Sequence, residues 1–369
     1  TQGVSSAASD VYKRQIMFFQ WRQSRRGSEK FHSAMVPQAG LDTRTWREVT
    51  ELGGQLAQLP DLPDVSSGAS IALVFDWENW WAIDGRDHPI ALDYLTLAHR
   101  WHAALHRQNL AVDIVNTTSD LSAYSLVVAP QQYLLGDEGA ANLSAYVEQG
   151  GNLFISAFSD VVDQDDAFRE GGFIVSLREV LGVALEDFGA LVPPESVRSA
   201  DSAGEVASHA VPDGPGQSEA PLDGPAGRIV GQYFAEELIV QDAEVLGRFT
   251  EGRTAGRAAF TRKRAGAGNG FYLATIPDDA GMTAVLGWLA SEAGVAAEIP
   301  GLPEHVEIAR RGSILTVINH SAAPIDVDVI GTDMLTGSTD ARRELGAFGW
   351  AFIDTSDSPP PHHSQKENS

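Results

Sequence analysis

The chain has 369 residues, 43% hydrophobic and 21% charged, the balance of a folded chain of two or three domains. A formal net charge of −24 argues against nucleic acid or an anionic membrane surface as partner, because phosphate binding needs clustered Lys and Arg. The absence of cysteine excludes disulfides, thiolate metal sites and a cysteine nucleophile.

No run approaches the roughly 18 apolar residues of a membrane span, and the N-terminus lacks the order of a signal peptide, so a cytoplasmic location is expected. Residues 1–15 carry no hydrophobic period; the stretch from Val4 to Gln15 reads as translated sequencing-adapter DNA and is set aside as an artefact. The run Ile16 to Trp21 is short, apolar and aromatic, as in a strand buried on both faces. A Gly/Ser-rich loop follows. Trp46, Val49, Leu52, Leu56 and Leu59 then recur at helical spacing after Asp42 and Thr43. Residues 16–60 thus read as one strand-loop-helix unit, closed by linker chemistry from Pro60 to Gly68.

From Ala69 strands and helices alternate: Ile71 to Phe75, Tyr94 to Gln108, Ala111 to Val115, Ser125 to Ala129, Asp137 to Glu148 and Asn152 to Ser156. This alternation predicts an α/β domain over 66–298 with a parallel sheet. A helix is expected around Phe173 to Leu181, and a Ser-, Ala-, Pro- and Gly-rich composition marks a flexible insertion over 193–227. The pattern resumes with a strand at Phe271 to Thr275 and a helix at Met282 to Ala293. Residues 300–355 lose the helical period and predict a small antiparallel β domain, and 356–369 a disordered tail.

The chemistry lies between Phe18 and Met35. If Ile16 to Trp21 is a barrel strand, Glu29 and His32 fall in the loop at its C-terminal end, where (β/α)₈ barrels place their sites. A spacing of three aims both groups at one ligand if the loop makes a single helical turn. By spacing alone such a pair is more often a solvated surface feature.

Phe18-Phe19-Gln20-Trp21-Arg22-Gln23-Ser24, followed by Gly27-Ser28-Glu29-Lys30-Phe31-His32-Ser33-Ala34-Met35, closely resembles the eighth strand and following loop of glycoside hydrolase family 42 β-galactosidases. The resemblance continues more loosely to about residue 355, through Ile71-Ala72-Leu73-Val74 and Phe75-Asp76-Trp77-Glu78-Asn79-Trp80-Trp81, similar to the start of the family's trimerisation domain. It implies the last strand-helix unit of a (β/α)₈ barrel, then an α/β domain resembling glutamine-amidotransferase-like folds, then a C-terminal β domain.

The resemblance further implies that Glu29 and His32 contact the galactose of a β-galactoside substrate, that Trp21 and Arg22 shape the pocket, and that the protein is a homotrimer. It implies neither cofactor nor metal. Trp77, Trp80 and Trp81 fit packing or a subunit interface.

Retaining glycosidases cleave with two carboxylates. By the family pattern both would precede Ile16, so no catalytic residue is expected in this chain. Ser156 and Ser159 lack a G-x-S-x-G elbow, and Asp160, Asp163, Asp165 and Asp166 lack the pattern of a calcium loop and read as solvated. The reading is the C-terminal part of a β-galactosidase; the alternative is a non-catalytic oligomerisation or sugar-binding protein.

Overall fold

The computed structural model describes residues 7–9, 16–59, 68–85, 88–191 and 217–356. The expected tail from 357, the bulk of the insertion (192–216) and most of residues 1–15 lie outside them. The chain divides into two compact units: residues 1–64, 330–341 and 351–369 form one, and 65–329 with 342–350 the other.

The first unit begins with β1 (Ala7–Ser9) antiparallel to β2 (Ile16–Phe18). A strand buried on both faces was expected here. It has instead three residues and an antiparallel partner, and Phe19 and Trp21 beyond it stand 53% and 63% exposed. Parallel strands are buried only between neighbours and covering helices, and among the described residues β2 has no parallel neighbour.

A single 3-10 turn, Ser28–Phe31, follows. α1 (Arg44–Leu56) starts where the side chain of Thr43 accepts a hydrogen bond from the Trp46 amide at 3.3 Å. Its apolar stripe is the predicted one, yet none of its residues is buried.

In the second unit, β3 (Ile71–Val74), α2 (Trp77–Ile83), α3 (Tyr94–His106), β4 (Val112–Val115), β5 (Leu126–Ala129), α4 (Asp137–Glu148) and β6 (Asn152–Ser156) follow the predicted alternation. α3 buries Tyr94, Leu97, Ala98, Trp101, Ala104 and Leu105, the three- and four-residue spacing of a helix on a sheet. The helix expected from Phe173 shrinks to α5 (Arg178–Leu181). Phe173 bridges to Leu185 instead, and Ile174 has φ 55°, outside helical backbone.

Next come β7 (Val183–Asp187), β8 (Ala220–Gly224), β9 (Gly227–Gln232), β10 (Glu237–Val240), β11 (Glu244–Phe249), β12 (Ala258–Ala265), β13 (Gly268–Leu273), β14 (Ile276–Pro277) and α6 (Asp279–Glu292). β8 lies within the stretch expected as insertion, so regular structure resumes earlier than composition suggests.

Ten strands form one sheet in the order β14-β9-β8-β11-β12-β13-β6-β5-β3-β4. From β13 to β4 every pairing is parallel, and from β13 to β14 every pairing is antiparallel. The expected parallel sheet is therefore half of a mixed one. In the parallel half β4 lies on one side of β3 and β5 on the other, so the strand order reverses between β3 and β5. In open α/β sheets that reversal leaves a crevice at the strands' carboxyl ends. β10 pairs with β7 in a separate antiparallel ribbon.

Past residue 300 the described residues form strands only: β15 (Val306–Arg311) with β16 (Ile314–Asn319), and β17 (Ile325–Asp328) with an antiparallel partner. β18 (Thr332–Asp333), β19 (Arg342–Leu345), which is that partner, and β20 (Trp350–Asp354), which pairs with β18, complete it.

Candidate functional site

The loop between β2 and α1 is closed at its neck by backbone hydrogen bonds from Met35 to Gln20 (3.0 Å), Val36 to Trp21 (2.8 Å) and Gln23 to Val36 (3.1 Å). Ala34 and Val36, at that neck, are buried. At the tip, the 3-10 turn holds Glu29, and His32 is its C-terminal cap; the His32 amide donates to the Glu29 carbonyl at 2.9 Å. Glu29 and His32 are thus held one turn apart, both exposed. Phe19 meets the His32 ring edge-on at 6.2 Å between centroids. Trp21 meets Trp46 of α1 in the same way at 5.6 Å, and Arg22 is exposed at the neck, its backbone bridged to Val36.

Two glutamines that the sequence reading passed over tie this loop together. Gln38 Nε2 donates to the carbonyls of Gln23 (2.8 Å) and Ser24 (3.0 Å). Gln23 Oε1 accepts from the Gln38 amide at 3.1 Å, and Gln23 Nε2 donates to the Lys30 carbonyl at 3.0 Å. Partners seven and fifteen residues apart in a loop follow no period, so no sequence spacing could have flagged them.

Past the carboxyl ends of the parallel strands, buried polar residues hydrogen-bond one another. Gln131, just past β5, has φ 47°; its Oε1 accepts from Trp101 Nε1 at 3.0 Å and its Nε2 donates to Ser156 Oγ. Asn79 donates to the Gln131 carbonyl and accepts from the Leu134 amide, both at 2.9 Å. Ser159 Oγ donates to the Ser156 carbonyl at 2.7 Å and accepts from the Gln132 amide at 2.9 Å. Both serine hydroxyls are engaged by a glutamine side chain or the backbone, the arrangement of packed polar groups rather than of an activated nucleophile.

Asp160, expected in a solvated loop, is buried: its carboxylate accepts from the Ser176 amide and hydroxyl and from the Leu177 amide at 2.8 to 3.1 Å. Burial raises its pKa above the usual carboxylate range, partly opposed by these bonds. Asp163 and Asp166 are likewise engaged, with the Asp165 and Ala167 amides and with the Tyr133 hydroxyl.

The most perturbed carboxylate is Glu236. Complete burial pushes its pKa up to about 7, opposed by hydrogen bonds from the Tyr272 hydroxyl (2.7 Å) and the Phe158 amide (2.9 Å). A general acid in a cleft can have such a value, but Glu236 has no exposed surface through which to meet a substrate.

On α2, Trp77 and Trp81 are 56% and 65% exposed and form an aromatic cluster with Trp80 and Phe75. Among the described residues no three His, Cys, Asp or Glu side chains group as a metal site, and no helix is long and apolar enough to cross a membrane.

A family model described as the β-galactosidase trimerisation domain matches residues 69–296, and one described as β-galactosidase matches residues 12–59. A β-galactosidase of Arthrobacter sp is 36% identical over 328 residues, covering 87% of this chain and 43% of that protein. The β-galactosidase BgaB of Geobacillus sp. (strain Y412MC61) is 34% identical over 345 residues, covering 90% and 48%. The crystal structure of a β-galactosidase from Bacillus circulans sp. alkalophilus superposes with a TM-score of 0.79 at 30% identity, covering 92% of this chain and 49% of that one. The chain therefore spans about half the length of the curated relatives it matches.

Proposed function

The chain belongs to the β-galactosidases of glycoside hydrolase family 42, and we propose that it is the C-terminal half of such an enzyme, which removes terminal β-D-galactosyl residues with retention. The half carries galactose-binding residues but not the reacting carboxylates. In this reading β2, the loop to Val36 and α1 are the last strand-helix unit of a (β/α)₈ barrel, and the second unit is an amidotransferase-like α/β domain through which three cytoplasmic subunits associate. Trp21 and Arg22 shape the pocket beside the loop.

The observation that carries the reading is the single turn that presents Glu29 and His32 together past the carboxyl end of β2. A carboxylate there accepts from adjacent sugar hydroxyls, and an imidazole bonds a third. Neither needs to move a proton to the glycosidic oxygen. The uncovered apolar residues of this strand-loop-helix unit, Phe19, Trp21, Phe31 and Leu56, supply further support, because a barrel strand and helix without their neighbours expose such faces.

The purified chain should release no nitrophenol from a nitrophenyl β-galactoside, whereas the full-length enzyme that contains it should. In that enzyme Glu29→Gln and His32→Ala should each lower kcat/KM by roughly ten- to a thousandfold, the cost of unpairing a sugar hydroxyl in a buried site. The covalent galactosyl intermediate should still form. Wild-type kinetics in both variants would reduce the pair to a surface feature.

A further inference from the structure

We propose that Gln23 is a positioning residue for galactose recognition, holding the turn of Glu29 and His32 at a fixed place relative to the loop neck; the proposal rests on the reading of that turn given above. The loop from Gln20 to Val36 is tied at its base by three backbone bonds, but these stop at the neck. The backbone hydrogen bonds of the turn at the tip close it only on itself, by Lys30 to Gly27 (3.4 Å) and His32 to Glu29 (2.9 Å), and the edge-on contact of the Phe19 ring with His32 adds no directional bond to the neck. Without a further link it could swing as a body.

The Gln23 side chain supplies a link. Its backbone amide is anchored to Val36 in the neck, its Oε1 to the Gln38 amide beyond the neck, and its Nε2 to the carbonyl of Lys30, the residue that separates Glu29 from the last residue before His32. Gln38 returns the contact by donating to the Gln23 and Ser24 carbonyls, so the orientation of the Gln23 amide group is fixed from both sides. Gln23 is half-buried while Glu29, Lys30 and His32 are exposed, which suits a support rather than a group that meets the sugar itself. Binding groups held within a fraction of an ångström need this kind of secondary hydrogen bonding.

The two arms of the amide allow the role to be separated from simple loop stability. In the full-length enzyme, Gln23→Glu keeps the oxygen that accepts from the Gln38 amide and replaces the donor to Lys30 with a second acceptor. It should lower kcat/KM by about three- to tenfold, the effect of one hydrogen bond and the misplacement it allows, mainly through KM. Gln23→Ala should fall in the same range. In a Glu29→Ala, His32→Ala background, Gln23→Glu should change kcat/KM by less than about twofold, since it acts through residues already removed.

Wild-type kinetics for Gln23→Glu, or the same fold loss in both backgrounds, overturns the proposal while leaving the role of Glu29 and His32 intact. If Glu29→Ala and His32→Ala are themselves silent, both readings fall together. Unchanged thermal melting of Gln23→Glu is expected alongside its kinetic loss, and a loss of activity fully explained by a lowered melting temperature also counts against positioning.

Discussion

Glu236 shows how a single buried carboxyl sets a pH dependence. Both its bonds come from neutral donors, the Phe158 amide and the Tyr272 hydroxyl, and these only partly offset what burial costs its charged form. In the unfolded chain the group ionises near its ordinary value of 4.5, while in the folded chain it keeps its proton up to about 7. Between those values the unfolded state has released a proton that the native state still holds, so stability falls as pH rises through the window and levels off above it. The loss attributable to this residue is roughly 3 kcal/mol, at about 1.4 kcal/mol per pKa unit. Glu236→Gln copies the protonated form and keeps an acceptor for the Phe158 amide. Urea unfolding at pH 5 and pH 7.5 should show a markedly smaller decline for Glu236→Gln than for the natural chain. Asp160 contributes in the same direction and is common to both proteins, so parallel curves for the two would remove Glu236 as the cause.

At the scale of elements, β13 is the seam of the ten-stranded sheet, parallel to β6 on one side and antiparallel to β12 on the other. Its glycines let helix ends come close: a Cβ at Gly270 would lie 2.1 Å from the Val180 carbonyl oxygen of α5, and one at Gly268 would lie 2.3 Å from that of Val147 in α4. Gly270→Ala should destabilise the second unit by about 1 to 3 kcal/mol, lowering its melting temperature by several degrees. Gly53→Ala, with nothing within 4 Å, should leave that transition in place. An unshifted melt for Gly270→Ala would show that α5 can retreat without cost.

The parallel half was legible because strands such as Ile71–Val74 and Leu126–Ala129 are continuous apolar runs, as burial on both faces requires. The antiparallel half was not: Glu244–Phe249 and Ala258–Ala265 mix charged residues with buried ones, so their apolar signal is diluted to a few positions. Glu29 and His32 were singled out from a local motif. The Gln23 and Gln38 clamp was not, because it exists only once the loop has folded back.

For the whole molecule, association through the second unit would set the exposed Trp77 and Trp81 at a subunit interface, where large rigid aromatics concentrate binding energy. The chain should sediment as a trimer at micromolar concentration. Trp77→Ala with Trp81→Ala should weaken the assembly by at least about tenfold, the effect of losing central aromatic contacts. A monomer in both cases would rule out association through this chain alone. The seam at β13 also bears on how the chain is made. Asn152 of β6 and Asn269 of β13 share a 3.0 Å side-chain hydrogen bond across 117 positions of sequence. During synthesis β3 to β6 therefore emerge long before the strand that covers their last edge. Closing so long a loop is slow, and an uncovered strand edge is a template for pairing with other chains. A translation product that stops before Gly268 would keep that edge bare and should be markedly more prone to aggregate than the complete second unit.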